Sequence, residues 1–313
     1  YFTSGTVSHP KMVLHTQASY GIAHEITARF WQDLHPEDTH WTVSDVGWAK
    51  IAWGALFGQW IIGARVFMHV NPRFEARTML RLLSKAGITT FCAPPTVYRI
   101  LVQEDLAAYD FSNVRHCVSA GEPLNPEVIR AWEVATGTRI YDGYGQTETV
   151  NCLANFRCMP VKSGSMGKPT PGFQVSIIDD AGTELPVGEE GHVAIRVKPE
   201  RPVGLFKGYW RDQTATAASF RGDWYYTGDK GYCDEDGYYW FVGRADDVIL
   251  SSGYRIGPFE VESALVEHPA VQEAAVVGLP DAARGESVTA FVVLALGWEG
   301  SSELAAELQR HVR

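Results

Sequence analysis

The chain has 313 residues, of which 45% are hydrophobic and 20% are charged, which is typical of a globular protein of roughly two or three domains. The formal net charge of −10 argues against nucleic acid or an anionic membrane as the main partner. The five cysteines show neither a CxxC pair nor zinc spacing, so we expect thiols in a reducing compartment. That compartment would be the cytoplasm, or the mitochondrial matrix if the protein is eukaryotic.

Residues 1–154 alternate between helical and strand patterns. Helices are expected at 18–34, 51–62, 72–86, 96–104 and 126–136, and strands near 41–44, 65–70, 88–92, 114–118 and 139–141. The most apolar stretch, 51–64, is too short to span a bilayer, so we expect it to be a buried core helix. Such alternation predicts the latter part of a large α/β domain, with a mixed, largely parallel sheet covered by helices on both faces.

The hydrophobic period changes to two from about residue 164. Short strands are expected at 175–178, 192–196, 225–227 and 238–242, which predicts a small antiparallel β subdomain over 155–243. A charged, non-periodic run at 244–247 would form a hinge. The remaining residues, 248–313, predict a partial, smaller α+β domain in which Pro258 opens a helix.

The segment 139–148, RIYDGYGQTE, is central to the chemistry. We interpret it as a short strand followed by a glycine-broken turn, in which Gly143 and Gly145 let the backbone pass close to a ligand. Thr147 can donate to a phosphate oxygen, and Glu148 is a hard oxygen ligand suited to Mg²⁺. Open α/β sheets bind ligands at this carboxyl edge. The alternative is a hairpin turn with a surface glutamate.

Two further segments follow predicted strands in the first half of the chain. Residues 3–11 carry four hydroxyls, one glycine and Lys11, and such a loop can cradle phosphate oxygens, although it lacks the Walker A pattern. Residues 119–123, SAGEP, contain a glycine that would permit a flat ring to approach the backbone. The alternatives are a plain Ser/Thr loop and an ordinary strand-to-helix turn.

Two segments in the second half complete the set. In 226–229, YTGD, we expect Asp229 in a tight turn, where its two oxygens could accept from adjacent ribose hydroxyls. The runs 243–247 and 251–255 combine a polar joint with a glycine-flanked loop, as a hinge between moving domains requires. The alternatives are a surface aspartate and a salt-bridged linker.

Taken together and in this order, these motifs resemble the adenylate-forming (AMP-binding) superfamily, with the closest likeness to medium-chain acyl-CoA synthetases. The matching motifs are YFTSGT, PKMV, SAGEPLNPEV, YDGYGQTE, YYTGDKG, GRADDVI and SSGYRIGPFEVE. The resemblance runs from residue 1 to the end of the chain. It implies an AMP-forming ligase of fatty acid metabolism that uses ATP, Mg²⁺, coenzyme A and a fatty, short- or medium-chain carboxylic acid.

The resemblance also implies a role for each matching residue. The phosphate loop would comprise Thr3, Ser4, Gly5, Thr6 and Lys11, and the adenine would lie against Gly121, Glu122 and Pro123. The adenylate would be walled by Asp142, Gly143, Tyr144, Gly145 and Gln146, with Thr147 on the α-phosphate, Glu148 on Mg²⁺, and Asp229 and Arg244 on the ribose. Asp246 would be the hinge, Trp48 would border the carboxylate pocket, and coenzyme A would face Ser252, Gly253, Tyr254, Arg255 and Arg284. The expected catalytic residues are Lys11, Thr147 and Glu148.

The chain departs from the family pattern at the phosphate loop, where Val7 and Ser8 replace the usual threonine and glycine. We expect a weaker hold on the leaving pyrophosphate, because a hydroxyl and a flexible glycine are lost. We also expect the chain to be a fragment that lacks the amino-terminal part of the large domain and the adenylation lysine near the carboxyl terminus. Two alternatives stay open: an adenylating enzyme with another thiol acceptor such as a carrier protein, and a catalytically silent nucleotide-binding homologue.

Overall fold

The structure is a computed structural model that describes residues 1–3, 10–44, 47–70, 74–245, 247–252, 254–281 and 284–312. The chain forms two compact units. The first contains residues 1–176, 194–227 and 234–240, and the second contains 177–193, 228–233 and 241–313. The domain boundaries expected from the sequence stay a prediction.

The strands in chain order are β1 (Val13–Leu14), β2 (Thr39–Thr42), β3 (Arg65–Phe67), β4 (Thr90–Cys92), β5 (His116–Ala120), β6 (Ile140–Gln146), β7 (Val150–Ala154), β8 (Lys168–Pro169), β9 (Val175–Ile178), β10 (Gly191–Arg196), β11 (Gly208–Tyr209), β12 (Phe220–Arg221), β13 (Trp224–Cys233), β14 (Tyr239–Arg244), β15 (Ile249–Ser251), β16 (Tyr254–Ile256), β17 (Val271–Asp281) and β18 (Gly285–Leu294). The α-helices are α1 (Ala23–Ile26), α2 (Ala49–Ala55), α3 (Phe57–Ile62), α4 (Ala76–Lys85), α5 (Pro95–Leu101), α6 (Pro126–Thr136), α7 (Gln213–Ser219), α8 (Pro258–Val266) and α9 (Ser302–His311). Two π-helical segments, Gln17–Ile22 and Thr27–Trp31, flank α1, so the helix predicted at 18–34 is present from residue 17 to 31.

The first unit is built on a seven-stranded sheet in the order β3-β2-β4-β5-β6-β7-β8. The strands from β3 to β6 pair in parallel, whereas β6–β7 and β7–β8 pair antiparallel. This arrangement confirms the predicted mixed sheet with flanking helices. Its core is apolar, and Leu80, Leu83, Phe91 and Trp132 are fully buried in it.

Helix α6 shows how local sequence sets an element's ends. The helix occupies the predicted residues, because the Asn125 side chain accepts from the Glu127 amide at its start and Gly137, at φ +74°, ends it. Helix α4, by contrast, was predicted from residue 72 and begins only at Ala76. Glu75 is extended, and its carboxylate accepts from the Thr78 hydroxyl one turn into the helix.

The prediction of one buried helix over 51–62 is wrong in two respects. It is split into α2 and α3 at Leu56, whose φ of −133° and ψ of −80° are not helical. One face packs tightly, since a Cβ at Gly54 would lie 2.6 Å from the Thr42 side chain. The opposite face is open, and the side chains of Trp60 and Ile61 are exposed.

Strand β6 continues through both glycines of the segment that was expected to be a turn, and the chain turns only at residues 147–149. A Cβ at Gly145 would lie 1.9 Å from the Val150 carbonyl oxygen, and one at Gly143 would clash with Asn151 and Trp31. The glycines are therefore required by close packing within the protein on that side of the strand. The expectation that they let the backbone pass close to a ligand stays a prediction.

Two antiparallel arrangements follow in the chain. The first has the order β12-β13-β10-β9 with β14 paired to β13, and the second has the order β16-β15-β18-β17. Strand β13 runs to Cys233, so Asp229 lies within a strand and not in the predicted tight turn. Residues 251–254, expected as a loop, connect β15 and β16 in a hairpin. Gly253 lies outside the described residues.

The second unit has its own apolar core, which includes Ile249, Leu265, Ala270, Leu304 and Leu308. Helix α8 begins at Pro258 as predicted. All five cysteines are free thiols, as expected, while the reducing compartment stays a prediction. Among the described residues, no helix has both the length and the apolar character that crossing a membrane requires.

Candidate active site

The segment after β5 carries the first group of predicted site residues. Gly121 has a φ of +111°, in the region that favours glycine. The side chain of Glu122 is exposed and accepts hydrogen bonds from Thr96 Oγ1 at 3.0 Å and from Arg99 at 3.4 Å. Pro123 is half-buried. The backbone at Gly121 thus stands at the carboxyl end of a parallel strand, where open α/β sheets present ligand-binding groups.

Asp142 lies on the neighbouring strand β6 and is buried. Its Oδ1 accepts from the Gly143 amide at 3.0 Å, and its carbonyl oxygen accepts from the Asn155 amide at 2.9 Å. Burial raises the pKa of this carboxyl well above its usual range, against the opposing effects of backbone hydrogen bonds and of Lys50. Tyr144, two residues on, is half-buried.

Lys50 was not predicted as a site residue, yet it contacts this region directly. Its Nζ donates to the Ala120 carbonyl at 2.7 Å, and a Cβ built at Gly121 would lie 3.1 Å from the same nitrogen. Burial lowers the pKa of Lys50, while nearby groups that include Glu122 and Asp142 raise it. The sequence did hold a signal, because Lys50 is the only charged residue between positions 47 and 64.

Gln146, at the end of β6, is fixed at both ends of its amide. Its Nε2 donates to the Thr227 carbonyl at 2.8 Å, and the Tyr225 hydroxyl lies 3.0 Å from its Oε1. A side-chain amide held by both a donor and an acceptor has a defined orientation, which suits a residue that lines a binding site.

Thr147 is held through its backbone by His15, a residue that the sequence did not single out. The Nε2 of His15 lies 2.6 Å from the Thr147 carbonyl oxygen, which only accepts, so this nitrogen carries the proton. The Nδ1 then accepts from Ser19 Oγ at 2.9 Å. Burial lowers the pKa of His15 to about 4, so the ring is neutral at pH 7.

Glu148, Lys11 and Tyr209 form a second cluster in the same unit. The carboxylate of Glu148 is 8% exposed and accepts from the Tyr209 hydroxyl at 2.9 Å. The Lys11 ammonium lies 4.9 Å from the centroid of the same Tyr209 ring. The Thr3 amide donates to the Lys11 carbonyl at 3.0 Å and so closes the predicted phosphate loop. Its residues Ser4, Gly5, Thr6, Val7 and Ser8 lie outside the described part of the chain.

The donor chemistry at Glu148 fits a magnesium ion. Within the described residues no group of three or more His, Cys, Asp or Glu side chains could hold a metal by itself. Mg²⁺ does not need such a group, because it usually takes one or two carboxylates, several waters and the phosphates of a substrate. A single buried carboxylate, oriented by a tyrosine hydroxyl, meets that requirement.

The predicted ribose residues lie together in the second unit. Asp229 is 4% exposed, and Arg244 Nε lies 3.5 Å from its Oδ1. The Arg244 carbonyl accepts from the Asp247 amide at 3.1 Å. Asp246, the predicted hinge residue, lies outside the described residues.

Of the predicted coenzyme A residues, Ser252, Tyr254, Arg284 and the backbone of Arg255 lie in the described part of the second unit. The Ser252 amide donates to the Arg284 carbonyl at 2.8 Å, and the Arg284 amide donates to Asp281 Oδ1 at 2.9 Å. The side chain of Tyr254 is 74% exposed, and the backbone of Arg255 lies in β16.

Trp48 lies immediately before α2 in the first unit, where it was predicted to border the carboxylate pocket. Its side chain is 61% exposed in the structure. This position leaves the indole free of the tight packing that surrounds Trp31 and Trp132, both of which are almost fully buried.

Sequence comparison shows which class of protein carries this arrangement. The chain matches the AMP-binding enzyme family over residues 1–210 and the AMP-binding enzyme C-terminal domain over residues 260–313. It therefore belongs to the AMP-binding enzyme family. It is 55% identical over 315 aligned residues to the mitochondrial acyl-coenzyme A synthetase ACSM3 of Mus musculus. That alignment covers the whole of this chain and 54% of the mouse protein.

Solved structures show the same relationship. The anthranilate CoA ligase AuaEII, crystallised with anthranoyl-AMP, superposes with a TM-score of 0.89 at 34% identity over 99% of this chain and 59% of that one. An acyl-CoA synthetase of Brucella canis gives a TM-score of 0.74 at 41% identity over 99% of this chain and 57% of that one. The chain thus spans somewhat more than half the length of the proteins that it matches.

Proposed function

We propose that the whole protein is an AMP-forming acyl-CoA ligase. It would activate a carboxylic acid with ATP and then transfer the acyl group to coenzyme A. One observation carries the proposal: Gly121, Asp142 and Glu148 follow or lie on adjacent strands in a chain of the AMP-binding family. The similarity to proteins named acyl-coenzyme A synthetases supports the choice of coenzyme A over another thiol acceptor.

The first half-reaction would form an acyl-adenylate. A carboxylate oxygen attacks the α-phosphorus of ATP in line, an O–P bond forms, and the bond to the leaving pyrophosphate breaks. The protein's task is to position the reactants and neutralise charge. We assign nucleotide contacts in the first unit to Gly121, Glu122, Pro123 and residues 142–146, and the α-phosphate to Thr147.

Lys11, with Thr3, Ser4, Gly5 and Thr6, would hold the β- and γ-phosphates. Lys11 supports this role because its ammonium contacts a neutral aromatic ring, an arrangement that leaves its charge available to a phosphate. Glu148 would hold Mg²⁺, which would offset the negative charge of the phosphates when bound. We assign the ribose hydroxyls to Asp229 and Arg244.

The second half-reaction would form the thioester. The coenzyme A thiol loses its proton to solvent, its sulfur attacks the acyl carbonyl carbon to form a C–S bond, and AMP leaves with the electrons of the broken C–O bond. We assign coenzyme A contacts to Ser252, Gly253, Tyr254, Arg255 and Arg284, and the pivot between the half-reactions to Asp246. The hydrogen bond between Ser252 and Arg284 supports the grouping of these residues.

We propose a fatty acid of short or medium chain as the substrate, with Trp48 at its pocket. The support is the 55% identity to a protein named as a mitochondrial acyl-coenzyme A synthetase of the ACSM group. The same relatives favour the mitochondrial alternative over the cytoplasm as the compartment.

The test is pyrophosphate release by the full-length protein, measured with butyrate, octanoate and benzoate, each with and without coenzyme A. We expect sustained turnover only with an acid and coenzyme A together, and a preference for an aliphatic acid. A single stoichiometric burst that coenzyme A does not extend would favour a different acceptor. ATP binding without pyrophosphate release for any acid would contradict the ligase proposal and would favour a silent homologue with a weakened phosphate loop.

A further inference from the structure

A cavity of about 250 Å³ lies wholly within the second unit and contains none of the residues assigned above to ATP, Mg²⁺ or coenzyme A. It is lined by Asp180, Glu190, His192, Lys230, Val242, Ala245, Val248 and Leu250. The lining combines a lysine, a histidine and two carboxylates, Asp180 and Glu190, with four aliphatic side chains. Ligand pockets typically pair an apolar wall with a few converging polar groups in this way.

Two polar residues of the cavity are held next to each other by neighbouring strands. His192 is on β10 and Lys230 on β13, and these strands are neighbours. The Lys230 ammonium lies 3.0 Å from His192 Nε2, and Asp180 Oδ1 lies 2.7 Å from the same nitrogen. The His192 side chain is 12% exposed, whereas that of Asp180 is 88% exposed.

His192 Nε2 therefore has two partners that favour opposite protonation states of this nitrogen. If Nε2 carries a proton, it donates to Asp180 and presents that proton to the Lys230 ammonium. If Nε2 is unprotonated, it accepts from Lys230 and its lone pair faces a carboxylate oxygen. A carboxylate suits both groups, because its two oxygens can accept separately from a protonated Nε2 and from the Lys230 ammonium.

Asp180 already shows that a carboxylate fits against His192 Nε2. The Asp180 side chain is 88% exposed, so it stays in contact with water when it turns away from His192. The remaining volume is walled by Val242, Val248 and Leu250, which suit a short aliphatic chain. Glu190 at the rim is exposed, so its repulsion of an anion is screened by solvent and salt.

The walls of the cavity come from the chain before and after residues 244–247. Val242 is on β14, while Val248 and Leu250 come after these residues. The later part of the chain packs directly on β14, since a Cβ at Gly257 would lie 2.3 Å from the Val242 carbonyl oxygen. A molecule in the cavity would contact both segments and would stabilise this arrangement over any other.

We propose that this cavity binds a short aliphatic monocarboxylate and thereby holds residues 248–250 against β13 and β14. The carboxylate takes the place of Asp180 on His192 and Lys230, and the aliphatic chain lies along Val242, Val248 and Leu250. The volume is below that of most drug-sized pockets, which limits the ligand to about six carbons. This site goes beyond the proposed ligase activity and does not depend on it.

The test uses full-length protein without ATP and sodium hexanoate labelled with ¹³C at the carboxylate. Binding is measured by the shift of the carboxylate resonance, and amide hydrogen exchange reports on residues 248–250. We expect saturating hexanoate to slow exchange at 248–250, and hexan-1-ol at the same concentration to have no effect. Unchanged exchange at saturation would overturn the proposal.

Lys230→Met removes the cation, and we expect it to weaken hexanoate binding by at least tenfold and to abolish the protection of 248–250. The matched control is Lys198→Met, which removes a 63% exposed lysine outside the cavity and should bind as the native protein does. Equal affinity in Lys230→Met and native protein would contradict the site, because hexanoate bound elsewhere does not need Lys230.

Asp180→Asn supplies a second variant that should fold normally, because the side chain is exposed. It removes the competing carboxylate but keeps its size, so we expect hexanoate to bind several-fold more tightly. Weaker binding would overturn the claim that the ligand displaces Asp180. Since no step requires ATP or turnover, failure here is distinguishable from failure of the ligase proposal.

Discussion

Lys50 links a distant part of the chain to the segment that we assign to adenine. Its ammonium donates to the Ala120 carbonyl and stands beside Gly121. No spacing rule relates position 50 to position 120, so the sequence could flag Lys50 only as a lone charge among apolar residues. The contact exists because the tertiary structure brings α2 close to the end of β5.

Lys50→Met tests this contact. The Ala120 carbonyl would lose its donor in a buried site, so we expect the free energy of unfolding to fall by about 1–3 kcal/mol. ATP affinity should also fall, because the backbone at Gly121 loses its support. Urea unfolding and equilibrium ATP binding measure the two effects. The control Lys85→Met, at an exposed position, should stay within about 0.5 kcal/mol of the native value.

Tyr209→Phe tests the orientation of Glu148. Partners that orient a metal-binding carboxylate typically change metal affinity by about 10–100-fold when they are removed. We therefore expect Mn²⁺, measured by electron paramagnetic resonance with ATP present, to bind about tenfold more weakly. Tyr109→Phe, at another half-buried tyrosine, should leave the affinity unchanged. Equal Mn²⁺ binding in Tyr209→Phe and native protein would contradict the assignment of Glu148.

Among the helices and strands, the sequence predicts the ends of an element best where residues next to those ends determine them. Helix α6 occupies the predicted residues because Asn125 and Gly137 define its ends. Strand β13 runs to Cys233, several residues past its predicted end, and it includes Gly228 at φ +82°. Glycine in a strand-like segment normally indicates a turn or a bulge, and the strand continues past it here.

Gly145→Ala tests the close packing of β6 against β7. A Cβ at Gly145 would stand 1.9 Å from the Val150 carbonyl, so Gly145→Ala must push β7 away from β6. We expect a loss of more than about 3 kcal/mol in stability, or insoluble protein. Gly21→Ala is the control, because nothing lies within 4 Å of its added methyl and helical glycine is intrinsically unfavourable. It should be neutral or stabilising in thermal unfolding, and a tolerated Gly145→Ala would refute the packing argument.

At the scale of the whole molecule, the first unit encloses several neutral histidines. Burial lowers the pKa of His24 and of His40 to about 3, and that of His116 to about 4. The Thr42 hydroxyl donates to the Gly54 carbonyl, so it accepts from a protonated Nε2 of His40. The sequence could not have predicted this burial, because a lone histidine in a strand has no distinctive pattern.

These histidines predict the direction of the pH dependence. Their folded pKa values lie below the value near 6.5 of the unfolded chain, so below about pH 6.5 the unfolded state binds protons that the folded state does not. Stability should fall as the pH falls from 6.5 towards 4, by up to about 1.4 kcal/mol per pH unit for each histidine. Urea unfolding followed by tryptophan fluorescence measures this slope.

His40→Gln should reduce that slope by about one proton, whatever it does to stability at pH 7. If stability were independent of pH between 6.5 and 4 in native protein, the buried histidines could not be neutral as described.

The position of Tyr209 has a consequence for how the protein behaves before any substrate arrives. A lysine and a glutamate at one site usually neutralise each other, and a substrate phosphate must then compete with that ion pair. Here Lys11 forms no salt bridge among the described residues, and a single uncharged ring contacts both its ammonium and the Glu148 carboxylate. A phosphate can therefore approach the Lys11 ammonium without first breaking an ion pair in the described part of the chain.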